Sequence, residues 1–285
     1  MYQHTINRLS RSAVVIAIDG SISMQEWTML HNTRMRKMEA AALIANFAID
    51  ELIMRSTRAG NMRDYYDIAV FRYSDDGIEP IIASEDNSMV HINSLQQATP
   101  QPICYNIVHK EEDGRECIMP ITLHEWVTPK AYGIAPMYEA LAHIKEIVSK
   151  WCDDPFNIRS FPPMVINITD GCCSDAEEIE LIDIARELDS IGTKDGTTLL
   201  INIYLANEQY ERESLLFPSV YDDFSHDNDC QMLYNMSSIL PEELEYIMRD
   251  IVRDSSQRPY KCFARNASIC EVLTMSDIGT ESCKK

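Results

Sequence analysis

The chain has 285 residues, 45% of them hydrophobic, and its 45 acidic side chains outnumber the 25 basic ones to give a formal net charge of −20. This balance disfavours proteins that bind a nucleic-acid backbone, because neutralising phosphates requires a positive surface. The apolar content excludes an intrinsically disordered chain and suffices for one large core or two modest ones. We therefore expect a chain that folds unaided and has no nucleic acid as a direct partner.

The apolar segments near the start of the chain are short. The longest runs from Ala13 to Ile18 and ends at Asp19, so it is shorter than the hydrophobic region of a signal peptide or a membrane span. The nine cysteines are an odd number in a long chain, which favours free thiols over a disulfide framework. These features predict a cytoplasmic protein with no membrane partner.

Strands and helices are predicted to alternate along the chain. An unbroken run of β-branched and apolar residues predicts a buried strand over 12–18. Segments rich in such residues predict further strands over 65–73, 78–83, 164–169 and 197–205, and an extended segment over 260–264. Apolar residues at helical spacing predict helices over 33–56, 137–148, 229–253 with an interruption at Pro241, and 268–276. A further helix through Leu188 is predicted to begin at a capping box formed by Ser174 and Glu177.

This alternation predicts a doubly wound α/β fold, with a mainly parallel central sheet and helices on both faces. Residues 1–285 are expected to form a single domain. Residues 84–127 depart from the alternation, with scattered prolines and an acidic turn at 111–114. We interpret them as an insertion containing a hairpin, which flanks the ligand edge and is anchored by Trp126.

Two predicted strands end in Asp-Gly, and ligands of such sheets bind at the carboxyl ends of the strands. Asp19, Ser21 and Ser23 follow the first strand on one tight turn, and Asp170 follows a later strand that reaches the same edge if the two are neighbours. Hydroxyl and carboxylate oxygens suit a small hard cation such as Mg²⁺, for which Mn²⁺ can substitute. The sequence therefore predicts a divalent-cation site at this edge.

The order of these motifs resembles the von Willebrand factor A (vWA) domain with its metal-ion-dependent adhesion site. The resemblance rests on the hydrophobic strand before Asp-x-Ser-x-Ser, a long helix, the Pro-Met-Tyr-Glu-Ala-Leu helix start at 136–141 and the later Ile-Thr-Asp-Gly. Residues 236–241, 262–267 and 278–280 are similar to the closing segment of stand-alone bacterial cytoplasmic members. The resemblance extends over nearly the whole chain except the insertion.

The resemblance implies roles for the site residues. Ser21 and Ser23 would bind the cation directly, whereas Asp19 and Asp170 would reach it mostly through water. The family usually has a Thr ligand where this chain has Ala135, whose methyl group cannot coordinate a metal. Binding is therefore expected to be weak, unless water, a nearby group such as Thr128 or an oxygen of a partner completes the site.

The expected function is a non-catalytic interaction module. An Asp or Glu of a partner protein would complete the coordination of the cation, in a bacterial signalling or stress assembly. Members of the resembled family imply a protein phosphatase, a Ser/Thr kinase or an AAA+ ATPase as the partner. The alternative is a metal-dependent hydrolase or phosphatase that uses Asp19 or Asp170.

Several catalytic readings are disfavoured by the absence of their motifs. The chain has no Gly-x4-Gly-Lys-Ser/Thr loop, no Gly-x-Gly-x-x-Gly turn and no Gly-x-Ser-x-Gly elbow. Haloacid dehalogenase phosphatases need a second Asp two residues after the first as a general acid, and this chain has Ser21 there. Cys172 and Cys173 follow Asp170 without the spacing of a redox or metal motif, so they are interpreted as small residues that fill the loop.

Overall fold

The computed structural model describes residues 1–30, 33–110, 116–208, 214–248, 258–266, 275 and 278–279. The helices are α1 (Lys37–Ser56), α2 (Met137–Asp153), α3 (Glu178–Ser190) and α4 (Asn228–Met236). The strands are β1 (Ser12–Asp19), β2 (Trp27–Leu30), β3 (Thr33–Arg36), β4 (Thr57–Arg58), β5 (Asn61–Met62), β6 (Tyr66–Ser74), β7 (Gly77–Ile82), β8 (Val90–His91), β9 (Pro102–Lys110), β10 (Glu116–His124), β11 (Met164–Thr169), β12 (Leu199–Tyr204), β13 (Leu215–Leu216) and β14 (Phe263–Arg265).

The main sheet has eight strands in the order β13-β14-β12-β11-β1-β6-β7, with β8 also paired to β6. Strands β6, β1, β11, β12 and β14 are parallel, whereas β7, β8 and β13 pair antiparallel at the margins. All eight residues of β1 are buried, which explains its unbroken apolar sequence. The predicted mainly parallel sheet is confirmed.

Each face of the sheet is covered by helices. Val14, Ile16 and Ile18 of β1 pack in a core with α1, whereas Ala13, Val15 and Ala17 pack in a second core with α2, α3 and α4. The alternation follows from the strand geometry, which sends successive side chains to opposite faces. The doubly wound α/β prediction is therefore confirmed.

The helix predicted over 33–56 begins only at Lys37, because an antiparallel hairpin of β2 and β3 precedes it. Thr28 and Leu30 are buried while Trp27 and Met29 are partly exposed, which is the period of two expected of a half-buried strand. The backbone N–H of Arg36 donates to Glu39 Oε2 at 2.8 Å and so helps to cap α1. This hairpin is the main element that the sequence pattern missed.

Two further predictions about helices need correction. The capping interaction before α3 joins Glu177 N–H to Glu180 Oε2 at 2.9 Å, so the predicted Ser174–Glu177 pair is wrong. Within 229–253, α4 ends at Met236, and a short 3-10 helix follows at Glu242–Met248. Residues 249–253, most of the predicted helix at 268–276 and the acidic turn at 111–114 lie outside the described residues.

Residues 84–127 contain β8, a short 3-10 helix and the antiparallel pair β9–β10. The segment that follows β10 is hydrogen-bonded to the middle of α1. Asp50 accepts hydrogen bonds from His124 N–H and Trp126 Nε1–H, both at 2.8 Å, and Asn46 Nδ2–H donates to Val127 O at 3.0 Å. Trp126 thus joins the insertion to the body of the fold.

Candidate metal centre at the strand ends

The candidate site lies where β1 and β11 end side by side. Ile18 and Ile168 are in register, so Asp19 and Asp170 emerge at the same edge of the sheet. The chain turns sharply after β1, and Ser21 N–H donates to Asp19 Oδ1 at 2.8 Å. Gly20 is required in this turn, since a Cβ there would lie 2.7 Å from the side chain of Arg72.

The structure brings the four candidate side chains into one hydrogen-bonded cluster. Ser21 Oγ lies 3.0 Å from Ser23 Oγ, and Ser23 Oγ donates to Asp170 Oδ1 at 3.1 Å. Asp19 is completely buried, and its Oδ2 accepts a 2.7 Å hydrogen bond from Thr169 Oγ1. Asp19 therefore orients the turn, in which Ser21 is also buried and Ser23 is partly exposed.

Two contributors to this cluster were missed in the sequence. Thr169 precedes Asp170 directly, and its position as the last residue of a buried strand was the available signal. The helical spacing of 33–56 predicts Lys37 only as a helix residue, but its Nζ donates to Asp170 Oδ2 at 2.8 Å and to Glu26 Oε2 at 3.1 Å. The Lys37 and Asp170 side chains are each only 3% exposed, so the site contains a buried ion pair.

Carboxylates outnumber cations at this edge. Burial, followed by the negative charge of Asp170, raises the pKa of Asp19 to about 6. Burial, followed by the charges of Asp227 and Asp170, also raises the pKa of Asp229. Asp229 packs tightly on the turn after β11. A Cβ added to Gly171 in that turn would lie only 2.5 Å from the Cβ of Asp229. Among the described residues, Lys37 pairs with Asp170 and is shared with Glu26, so this group of acids favours an additional cation.

Ala135 is buried at the position where the resembled family has a hydroxyl ligand. Its N–H donates to Ser174 Oγ at 3.1 Å, and its carbonyl accepts from Ser174 N–H at 3.0 Å. Thr128 is exposed, and its carbonyl oxygen accepts a 2.6 Å hydrogen bond from the guanidinium of Arg72. Ala135 therefore offers the cation no side-chain oxygen.

The donor set fits a hard divalent cation. In the part of the chain that the structure describes, no cluster of three His, Cys, Asp or Glu side chains is placed to hold a metal ion. The hydroxyls of Ser21 and Ser23 lie beside Asp170 and would hold such a cation together with it. Because both carboxylate oxygens of Asp19 accept hydrogen bonds, Asp19 would reach the cation through water, which Mg²⁺ readily retains.

The cysteines beside the site are not activated. Burial, followed by the charges of Asp170 and Asp19, raises the pKa of the Cys172 thiol. Burial also raises the pKa of Cys173, whose Sγ–H donates to Asp175 Oδ1 at 3.1 Å. Both thiols stay protonated near neutral pH, so neither is an activated nucleophile.

No protein-family model matches the chain, and no curated protein matches it. Among solved structures, a von Willebrand factor type A protein from Catenulispora acidiphila matches with 18% identity and a TM-score of 0.39, over 68% of this chain and 33% of that one. The chain is similar in fold to von Willebrand factor A domains. The SpRpn10 VWA domain matches with 11% identity and a TM-score of 0.40, over 68% of this chain and 76% of that one.

The manganese-loaded TRAP protein of Plasmodium vivax matches with 14% identity and a TM-score of 0.37, over 71% of this chain and 61% of that one. The vWA likeness thus spans only a third of the Catenulispora chain and under two thirds of the TRAP chain. Among the described residues, no helix combines the length and apolarity needed to cross a membrane.

Proposed function

We propose that the chain is a vWA domain protein that acts as a non-catalytic interaction module. A divalent cation, Mg²⁺ or Mn²⁺, binds at Asp19, Ser21, Ser23 and Asp170 and is completed by an Asp or Glu of a partner protein. The observation that carries this proposal is the hydrogen-bonded cluster of these four oxygen-bearing side chains at the carboxyl edge of the sheet.

The negative charge of the protein explains why a bound cation would help it to bind an acidic ligand. A surface with a formal net charge of −20 repels an acidic ligand over most of its area. A divalent ion with an open coordination position supplies a local positive anchor at the strand ends. The partner is expected to be a soluble cytoplasmic protein such as a protein phosphatase, a Ser/Thr kinase or an AAA+ ATPase, as the family resemblance implies.

The burial of Asp19 argues against the alternative hydrolase. A carboxylate that acts as nucleophile or general base must reach the substrate, but Asp19 is completely buried and both its oxygens are engaged. Asp170 is 5% exposed and is held by Lys37, Ser23 and the backbone N–H of Cys172. We therefore expect no hydrolysis of a generic phosphoester with either Mg²⁺ or Mn²⁺.

The double substitution Ser21→Ala and Ser23→Ala tests the proposed cation site. It removes the hydroxyl groups of both serines and should weaken Mg²⁺ binding by about tenfold or more in calorimetric titration. Ser225→Ala is the matched control, because Ser225 is exposed and its hydroxyl donates to Asp223 away from the strand ends. Binding of a short glutamate-containing peptide should be stronger with Mg²⁺ than in EDTA, and only the double variant should lose this difference.

The proposal fails if the double variant binds Mg²⁺ as tightly as the unmodified protein. It also fails if Mg²⁺ leaves peptide binding unchanged in the unmodified protein. Steady turnover of p-nitrophenyl phosphate that disappears in the double variant would instead favour the hydrolase.

Restoring the usual hydroxyl provides a gain-of-function prediction. Ala135→Thr should tighten Mg²⁺ binding about tenfold, because a hydroxyl ligand replaces a methyl group. Ala135→Val is the matched control, since valine has nearly the shape of threonine and lacks the oxygen. Equal Mg²⁺ affinities of the Thr and Val variants would show that residue 135 does not face the ion.

A further inference from the structure

The hairpin that precedes α1 carries an aromatic and cationic surface, which we call the Trp27 platform and define by Trp27, Arg34 and Arg36. Trp27 pairs with Arg36 and Met29 pairs with Arg34, so these side chains share one face of the hairpin. The opposite face, with Thr28 and Leu30, is buried. The hairpin therefore presents the platform outward.

The two arginines stack on the indole ring. The guanidinium carbons of Arg34 and Arg36 each lie 3.8 Å from the centroid of a Trp27 ring. Arg34 Nε–H also donates to Glu208 Oε2 at 2.8 Å, and Arg36 donates from its guanidinium to Gln25 O at 2.7 Å. Stacking and these hydrogen bonds hold both guanidinium groups in place.

The platform borders a cavity of about 540 Å³, which Gln25, Asn207 and Glu208 also line. Glu26 lines it as well and forms an ion pair with Lys37 at 3.1 Å, while the same ammonium reaches Asp170 of the metal centre. The cavity therefore lies beside the metal centre, and one partner segment can extend from one to the other.

The cavity is lined by two carboxylates, those of Glu26 and Glu208, and by two guanidinium groups, those of Arg34 and Arg36. Glu26 is paired with Lys37, and Glu208 is paired with Arg34. Among the residues described by the structure, no carboxylate forms an ion pair with the Arg36 guanidinium. A stacked guanidinium with free N–H groups is suited to bind a carboxylate, often through two parallel hydrogen bonds.

We infer that the cavity at the Trp27 platform binds a second acidic side chain of the partner segment whose first carboxylate completes the cation site. The partner is therefore an acidic stretch of protein rather than a single exposed Asp or Glu. This inference rests on the proposed function for the first carboxylate, but the platform contact itself needs no metal. In a protein with a formal net charge of −20, the stacked Arg36 guanidinium, which forms no ion pair among the described residues, offers a local contact for an anion.

The test measures fluorescence anisotropy of a short labelled peptide of alternating glutamate and glycine, in Mg²⁺ and in EDTA. Arg36→Gln should weaken binding about fivefold under both conditions, because the platform contact is independent of the cation. Arg58→Gln is the matched control, since it removes the same charge from an exposed position just beyond the other end of α1. A peptide in which glutamine replaces glutamate should bind weakly to every variant.

Equal affinity of the Arg36→Gln variant and the unmodified protein in both conditions would overturn the inference. So would equal binding of the glutamate and glutamine peptides in EDTA. The proposed function is tested separately. If Mg²⁺ has no effect on peptide binding but Arg36→Gln still weakens it, the cation site is refuted while the platform contact is supported. Arg36→Lys distinguishes simple charge from planar recognition and should bind more weakly than the unmodified protein.

Discussion

Replacing Lys37 with methionine is expected to destabilise the protein by about 3 kcal/mol, because removal of one partner of a buried ion pair leaves the other charge uncompensated. The Lys37 Nζ to Asp170 Oδ2 distance is 2.8 Å, and both side chains are almost fully buried. The same change frees a carboxylate oxygen of Asp170 and removes a positive charge next to the proposed cation. Mg²⁺ should therefore bind more tightly and restore part of the lost stability.

Thermal unfolding with increasing Mg²⁺ checks both effects. The Lys37→Met variant should start with a lower Tm than the unmodified protein and gain more from the ion, since ligands stabilise the state they bind. Lys145→Met is the matched control, because Lys145 forms a more exposed ion pair with Glu187 at 2.7 Å. Adding Asp170→Asn to Lys37→Met should recover stability while abolishing the response to Mg²⁺. A Lys37→Met variant as stable as the control would rule out the buried ion pair.

A second large effect is expected at Asn202, which lies in a buried polar chain across the sheet. Tyr73 OH donates to Asn167 Oδ1 at 3.1 Å, Asn167 Nδ2–H donates to Asn202 Oδ1 at 3.0 Å, and Asn202 Nδ2–H donates to Ser237 Oγ at 3.0 Å. Asn202→Ala removes the central link and leaves the Asn167 amide without its acceptor. The loss should be about 2–4 kcal/mol, since buried unsatisfied groups and the new cavity both cost free energy.

Urea unfolding provides the measurement for Asn202→Ala. Asn93→Ala is the matched control, because the exposed Asn93 amide donates to Asp64 Oδ2 at 3.0 Å near the surface. The control should unfold within about 0.5 kcal/mol of the unmodified protein. If the Asn202 and Asn93 variants had the same midpoint, the buried chain would contribute little to stability.

The strands that carry the site were predictable because the burial of each strand is evident from its own run of residues. β1 and β11 pack on both faces, so apolar residues fill β1 from Ala13 up to Asp19 and fill β11 up to Thr169 with Asn167 as the one polar exception. The positions of Asp19 and Asp170 followed from those ends, and their proximity followed from the general rule for parallel sheets. The structure adds the register of Ile18 with Ile168, which no sequence pattern specifies.

The hairpin and Lys37 were not predictable for related reasons. Arg36 lacks the short polar side chain that usually marks a helix start, so nothing separated β3 from α1 in the pattern. A lysine in the first turn of a helix opposes the helix dipole, and its role is evident only from the distant Asp170. The position of Thr169 at the end of a strand was visible in the sequence, but its hydrogen bond to Asp19 was not, because Asp19 lies on another strand.

The two strands that pair with β1 lie far from it in the sequence, so they are synthesised well after it. Val14 of β1 pairs with Ile68 on one side and with Met164 on the other, so the second edge of the strand stays unpaired until much of the chain has emerged from the ribosome. Pairings between such distant segments form slowly, and an unpaired apolar edge promotes aggregation. We expect the nascent chain to expose this apolar edge until β11 is made, and truncations that end before residue 164 to be insoluble.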